Sequence, residues 1–410
     1  MTTIVAKYLA PVLPANPDAN RKECRTQPEA SPSGAANRRP TAKPDFYRPE
    51  LDVLRFIAFL GVFAVHTADY PTSHLVARHV PPLIAEFGMS FIHAGIFGVD
   101  LFFVLSSYLV TELLLREKAA LGSVSVRAFY VRRILRIWPL YYSFVALAAL
   151  IPVLNPRNEF GLHYIVPFFC LMGNWSFVWF GWPASAATPL WSVSVEEQFY
   201  LLWPPAVARL SRRQIATTAI CLIVVANISR LVGVAVHSST QHLWANTFAH
   251  LDSIAAGILL AVVLKGEVPH IGPCQRVALF ATGMSCLAFR GHYVANTADD
   301  YISLLGTLLG YPAVVASCAA ILVAVMGLPS KLSLLQYLGK ISYGLYVYHM
   351  GSIMVTDRIM PQGSGVGHAA IRLIVALVLT VAVSAASYAV VEKPFLNLKR
   401  KFTYIQSRPA

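Results

Sequence analysis

Charge is what this chain has least of: Asp, Glu, Lys and Arg make up 13% of its 410 residues, against 56% hydrophobic. Together with a mean hydropathy of +0.57, that scarcity excludes a soluble globular enzyme and leaves a polytopic membrane protein. Cysteine is sparse as well. The six present stand singly, mostly in apolar stretches, so they read as small buried hydrophobes, and no metal site or redox motif is expected. No internal repeat of about 20–50 residues is visible, which removes a repeat array. Nor does the N-terminal run YLAPVLPA resemble a signal peptide, being short, broken by two prolines and lacking a basic region ahead of it.

What is abundant is apolar sequence of helix-spanning length, recurring from residue 51 to residue 391 between short polar, Gly/Pro or basic segments. It predicts an all-α transmembrane helical bundle of about ten spans, near 51–68, 88–114, 137–154, 189–208, 215–236, 244–264, 275–291, 302–327, 333–356 and 367–391. The net charge of +13 falls in alternate loops, which is the positive-inside pattern and not a nucleic-acid footprint, so no nucleic-acid partner is expected. Arg116, Lys118, Arg127, Arg132, Arg133 and Arg136 follow the second span, Arg209, Arg212 and Arg213 the fourth, and Lys399, Arg400 and Lys401 the tenth. Those loops, and with them both termini, are expected in the cytoplasm. The intervening loops carry little more than Arg78, Arg157, Arg290 and Arg358. Residues 1–47 read as a disordered, basic, Pro-rich cytoplasmic tail, 48–400 as the membrane domain and 401–410 as a short second tail.

Against this apolar background a few polar residues stand out, since an ionisable side chain at membrane depth costs a few kcal/mol and usually faces a protein interior or a wet cavity. In RPELDVLRFIAFLGVFAVHT, Arg55 and His66 lie eleven positions apart. On a helix that spacing sets them within about 20° of one face and roughly 16 Å apart along the axis. One face thus presents a fixed cation and a titratable base, with Asp52, Arg55, Phe59 and His66 forming a stripe. Asp52 can pair with Arg55 at i,i+3. Two readings of each residue stay open: Arg55 snorkels to the inner interface or serves a site, and His66 is a satisfied structural histidine or a base.

Asp100 interrupts GVDLFFVLSSYLV and needs a partner, for which an arginine on another helix is the obvious candidate. In RAFYVRRILRIWPLYY, Arg132, Arg133 and Arg136 suit either lipid headgroups or the phosphates of a cofactor. Glu196 and Glu197, in LWSVSVEEQFYLLWPP, point about 100° apart on a helix, so one can bind an arginine while the other faces a cavity or solvent. The outer segment around NWSFVWFGW carries aromatics that could cover a sugar ring or sit among headgroups. Later, HLDSIAAGILLA supplies His250 and Asp252, and YLGKISYGLYVYHM supplies His349 and three tyrosines that do not share one face. Asp100, Glu197, Asp252 and His349 are read as a substrate-contacting or structural polar cluster.

Taken in order, ELDVLRFIAFLGVFAVH, GVDLFFVLSSYLV, FYVRRILRIWPLYY, LWSVSVEEQFYLLWP, KISYGLYVYH and VEKPF resemble the acyltransferase family 3 integral membrane proteins, over about residues 48–400. The resemblance implies an O-acyltransferase of a bacterial inner membrane that moves an acyl group, commonly acetyl from acetyl-CoA, onto a hydroxyl of an extracytoplasmic or lipid-linked carbohydrate. It implies that Arg55 and His66 are the family's functional pair and that Glu196 and Glu197 are its acidic motif. Ser107 stands where the family typically has glycine, Tyr348 where it has tryptophan, and His250 where arginine is frequent. Many relatives append a soluble hydrolase-like domain, so a chain ending soon after its tenth span is expected to act alone or with a partner.

On the residues themselves, acyl-CoA entering from the cytoplasm would place its phosphates on Arg132, Arg133 and Arg136, with Arg55 further in. The thioester would extend toward His66, which acts as general base on the acceptor hydroxyl or as the nucleophile of an acyl-histidine. Arg55, His66 and Glu196 are the candidate catalytic residues, and no metal is called for. A rival from another class is a proton-coupled transporter of a lipid-linked sugar or organic acid, with His66, Asp100 and Glu196 as relay groups.

Overall fold

A computed structural model of the chain describes residues 46–67, 80–154, 160–296, 303–360 and 366–403. Among them the regular structure is helical and no strand occurs. That is what a bilayer imposes: with no water to bond free N–H and C=O groups, a helix satisfies them within its own segment. The first half runs through α1 (Pro49–Thr67), α2 (Pro82–Ala94), α3 (Gly98–Leu121), α4 (Val126–Leu154), two short helices α5 (Leu162–Phe169) and α6 (Gly173–Phe180), and α7 (Leu190–Arg209). The second half continues with α8 (Arg212–Ala235), the single turn-and-a-half α9 (Thr240–Ala245), α10 (Leu251–Leu264) and α11 (Pro273–Asn296). It ends with α12 (Tyr311–Val325), α13 (Ser333–Lys340), α14 (Ser342–Ile359), α15 (Val366–Ser387) and α16 (Lys393–Lys399).

Among the described residues six stretches are long and apolar enough to cross a membrane: Pro82–Leu121, Val126–Ile151, Arg212–Ala235, Thr247–Leu264, Gly306–Val325 and Gly367–Phe402. Four further helices of 18 to 24 residues, α1, α7, α11 and α14, fall outside that set. Three of these four carry the residues singled out above: Arg55 and His66 on α1, Glu196 and Glu197 on α7, His349 on α14. The polar residues that mark a site are thus also what dilute the apolar signal of the helices that hold it.

Local chemistry explains the breaks. Helix α3 stops at Gly122, whose φ of 72° suits a residue without Cβ. Helix α8 opens on a capping box in which Ser211 and Gln214 bond each other's backbone N–H, immediately after the basic turn at Arg209. Between α2 and α3 a 3-10 turn, Gly95–Phe97, bends the chain against α1. A Cβ on Gly95 would overlap the Gly61 carbonyl, so only glycine permits this backbone contact.

Helix α10 packs on α3, α11 on α2 and α12, α14 on α15, and α1 touches α3, α13 and α14. Lipid tails are as apolar as leucine, so such contacts draw on close packing and polar bonds more than on removal of surface from water. Helices α10 and α3 meet where a Cβ on Gly257 would overlap Ser107 Oγ and the Val104 carbonyl. Phe59, Phe63, Phe103, Tyr108 and Tyr141 fill the interior, while Leu201 and Leu202 are 62% and 72% exposed on the outer face of α7. Of the cysteines, Cys318 is buried and Cys286 partly so; Cys170, Cys221 and Cys274 are exposed, which corrects their reading as buried hydrophobes. The tail expected over 1–47 lies, up to residue 45, outside the described residues, as do residues 404–410 and the loop arginines Arg78 and Arg157.

Candidate active site

Two cavities with shared wall residues lie along α1, α3, α4 and α7. The first, about 930 Å³ counting the space open to solvent, is cationic, with Arg48, Arg55, Arg132, Arg133, Arg136 and Lys399 on its wall. The second, about 720 Å³, shares Arg55, Arg133 and Arg136 with the first and is also lined by Ser106, Glu196, Tyr200, Ser192 and Tyr346. Its walls are partly apolar, at Val99, Phe102 and Phe103. A phosphate-sized anion at the shared arginines would therefore stand at the junction of a charged vestibule and a partly apolar pocket.

The arginines differ in their ties. Arg132 bonds Glu117 Oε2 at 3.0 Å and donates to the Phe402 carbonyl at 2.9 Å, and Arg55 holds Asp52 at 2.9 Å, the i,i+3 pair its spacing suggests. Arg133 instead lies over the rings of Tyr200 and Phe129, 4.3 and 5.3 Å from their centroids. It makes no hydrogen bond or ion pair among the described residues, so its donors remain for an occupant of the cavities it lines. The two acids of α7 diverge as their 100° separation requires. Glu196 accepts from Tyr200 Oη at 3.0 Å and borders the second cavity. Glu197 is buried, accepts from Trp138 Nε1 at 3.0 Å, and leaves its other oxygen without a bond among the described residues.

At the far end of α1, the acceptors around His66 and His349 fix which nitrogen of His66 holds its lone pair. His349, fully buried on α14, directs Nδ1 at the Tyr346 carbonyl at 2.6 Å; a carbonyl only accepts, so this nitrogen carries the proton and Nε2 carries the lone pair of the neutral ring. His66 Nδ1 is 2.8 Å from the Val62 carbonyl and 3.4 Å from His349 Nε2, two acceptors, so it too is the protonated nitrogen. The lone pair of His66 is thereby left on Nε2, at an exposed position at the end of the helix. Phe59, on the same stripe, meets the edge of His349 with centroids 6.1 Å apart. His349 therefore joins His66, not a separate polar cluster, and it holds the ring as a second imidazole would hold a base. Neither histidine is on the wall of the second cavity, but Tyr346 is, and its ring lies 5.4 Å from that of His349.

Asp100 and Asp252 lie elsewhere. Asp100 accepts from Ser253 Oγ at 2.8 Å and faces His250 Nδ1 at 3.3 Å, so its partner is a histidine and a serine of the α10 region and not the arginine expected. The arginine goes to Asp252: Arg230, 1% exposed, grips it through both carboxylate oxygens at 2.7 and 2.6 Å, with its guanidinium 4.3 Å from the Tyr311 ring centroid. It also bonds the Ala249 carbonyl. Arg230 escaped the sequence reading, although an arginine within the apolar run of α8 was a visible signal; near a helix end it passes for a snorkelling residue. This cluster lines neither cavity.

The acyltransferase domain family model matches residues 48–389, most of the chain. The chain belongs to acyltransferase family 3. Family 3 members among the curated proteins include "Putative peptidoglycan O-acetyltransferase YrhL" of Bacillus subtilis (strain 168), 26% identical over 383 residues that cover 85% of this chain and 55% of the relative. Another is the peptidoglycan O-acetyltransferase OatA of Listeria monocytogenes (strain EGD-e), 26% identical over 351 residues, 77% of this chain and 50% of the relative. The chain spans about half the length of these relatives. No solved structure matches. Within the family frame, the motif residues fall into three places: Arg55, Arg132, Arg133, Arg136 and Glu196 on the cavities, His66 with His349 beyond them, and Asp100 with Asp252 in the buried network.

Proposed function

We propose that this protein is a membrane-embedded O-acyltransferase that moves an acyl group, acetyl from acetyl-CoA, from the cytoplasmic side onto a hydroxyl of an extracytoplasmic or lipid-linked carbohydrate. The observation that carries this reading is that the two cavities share Arg55, Arg133 and Arg136 on their walls. Phosphates of the donor rest against those guanidiniums, with the untied donors of Arg133 foremost, and the pantetheine arm and thioester extend into the second cavity. Glu196, bonded to Tyr200, lines the second cavity with those arginines. The roughly 16 Å of helix between Arg55 and His66 is then the length the arm spans.

In the transfer, His66 Nε2 takes the proton of the acceptor hydroxyl while its oxygen attacks the thioester carbonyl. Collapse of the tetrahedral adduct breaks the C–S bond, and the leaving thiolate recovers the proton from the imidazolium. His349 keeps His66 Nδ1 bonded throughout, so the charge that appears on the ring has an acceptor beside it. The carbohydrate acceptor accords with the names of the relatives, which specify peptidoglycan. In the same reading the six apolar stretches and α1, α7, α11 and α14 make ten spans with both termini in the cytoplasm, which puts the arginines on the donor side.

Vesicles holding the protein and supplied with labelled acetyl-CoA on the cytoplasmic side test the reading. Label appearing on a glycan acceptor is the expected result. Movement of acceptor across the membrane without acylation would favour a transporter and overturn it.

A further inference from the structure

The wall of the second cavity includes one residue that no function assigned so far uses. Tyr346 lines the cavity and lies beside His349, and three contacts fix it. Its Oη is hydrogen-bonded to Ser192 Oγ at 2.7 Å, and Ser192 Oγ also lies 3.1 Å from the Pro189 carbonyl. Phe102, on the same wall, packs edge-on against the ring at 5.9 Å. The Tyr346 carbonyl takes the bond from His349 Nδ1, and the two rings lie 5.4 Å apart. A side chain with only two rotatable bonds, anchored at its tip, its ring and its backbone, is a stiff stop.

We propose that Tyr346, tethered by Ser192, meets the acyl end of the donor and sets the longest acyl group this enzyme transfers. The inference rests on the acyl-CoA reading above. The same cavity carries guanidinium and carboxylate groups at Arg55, Arg133, Arg136 and Glu196 and apolar side chains at Val99, Phe102 and Phe103, with Phe102 packed against the tyrosine, the two kinds of surface an acyl-CoA presents from phosphates to acyl chain. A short acyl group fits against the ring; added methylenes have no room unless the ring leaves Ser192. Because the same residue touches His349, the stop lies beside the atoms that react. Tyr346 acts on specificity and takes no proton.

The test compares kcat/KM for acetyl-, propionyl-, butyryl- and hexanoyl-CoA in reconstituted vesicles, for wild type, Tyr346→Phe, Tyr346→Leu and Tyr346→Ala. Wild type should favour acetyl. In Tyr346→Leu and Tyr346→Ala the ratio of longer to acetyl donors should rise, by up to about fourfold for each methylene the opened space accepts, the equivalent of about 0.8 kcal/mol per buried CH₂. Tyr346→Phe keeps the ring and should move the ratio by less than about threefold, since only the Ser192 bond is lost. A ratio is insensitive to the fraction of folded protein, so poor folding of the alanine variant leaves the leucine variant decisive. Unchanged ratios in both shortened variants, with wild type active on acetyl-CoA, would overturn the inference alone, as would a wild type that uses hexanoyl-CoA as readily as acetyl-CoA. A wild type that uses no acyl-CoA would overturn the donor reading and this one with it.

Discussion

The bundle holds two groups of charged residues, and it treats them in opposite ways. Around Arg230, each charge has a partner inside the protein: the guanidinium spans both oxygens of Asp252, and Asp100 receives Ser253 and His250. All five residues are at most 5% exposed. Along the two cavities, Arg133 makes no hydrogen bond or ion pair among the described residues, and Glu196 borders open space. The buried network lines neither cavity and, with only Arg230 Nε lacking a bond among the described residues, is there to join helices. Charged groups that face open space are a place for an anion and a reaction. Both groups look the same in the sequence, as ionisable residues in apolar helices.

That contrast can be broken at each end. His66→Ala should have the largest effect, lowering transfer by about 10²–10⁴ with the fold and donor binding retained, because the base is removed while only the 3.4 Å contact to His349 and the bond to the Val62 carbonyl are lost. Transfer rate and acyl-CoA binding, measured on the same membranes, check it; full transfer would remove His66 from the mechanism. Arg230→Ala should act in the opposite sense, costing about 3–5 kcal/mol of stability by leaving Asp252 buried and unpaired, while the folded fraction retains its turnover. Thermal unfolding in detergent alongside activity per folded molecule separates the two. The smallest of the three is Arg133→Ala, which should raise KM for acyl-CoA with little change in stability, by the roughly 1.5–3 kcal/mol of one charge-assisted hydrogen bond. If Arg133→Ala proved as destabilising as Arg230→Ala, its donors would have to be structural and the division between the groups would fail.

Much of this was legible in advance. The all-α class follows from the long apolar stretches, and the common stripe of Asp52, Arg55, Phe59 and His66 follows from helical periodicity alone; the structure keeps all four on α1. The Asp52–Arg55 pair and the divergence of Glu196 and Glu197 are local consequences of the same geometry. Long-range pairings were not legible. Asp100 was expected to find an arginine and found His250, because which polar residue of α10 faces α3 depends on how the helices meet at Gly257 and Ser107. Tyr346 lay among tyrosines that share no face, so nothing in their spacing singled out the one that would line the second cavity beside His349.

The sequence by itself determined that this is an apolar helical chain with a basic residue and a histidine on one helix face, since composition and period are properties of the chain. Only the tertiary structure decided that Arg133 is left untied, that His349 comes to His66 from some 280 positions away in the chain, and that Arg230 is locked to Asp252. The reason is physical: a helix fixes the direction of its own side chains, but what they meet, and whether any capacity is left over, is set by the packing of other helices against them.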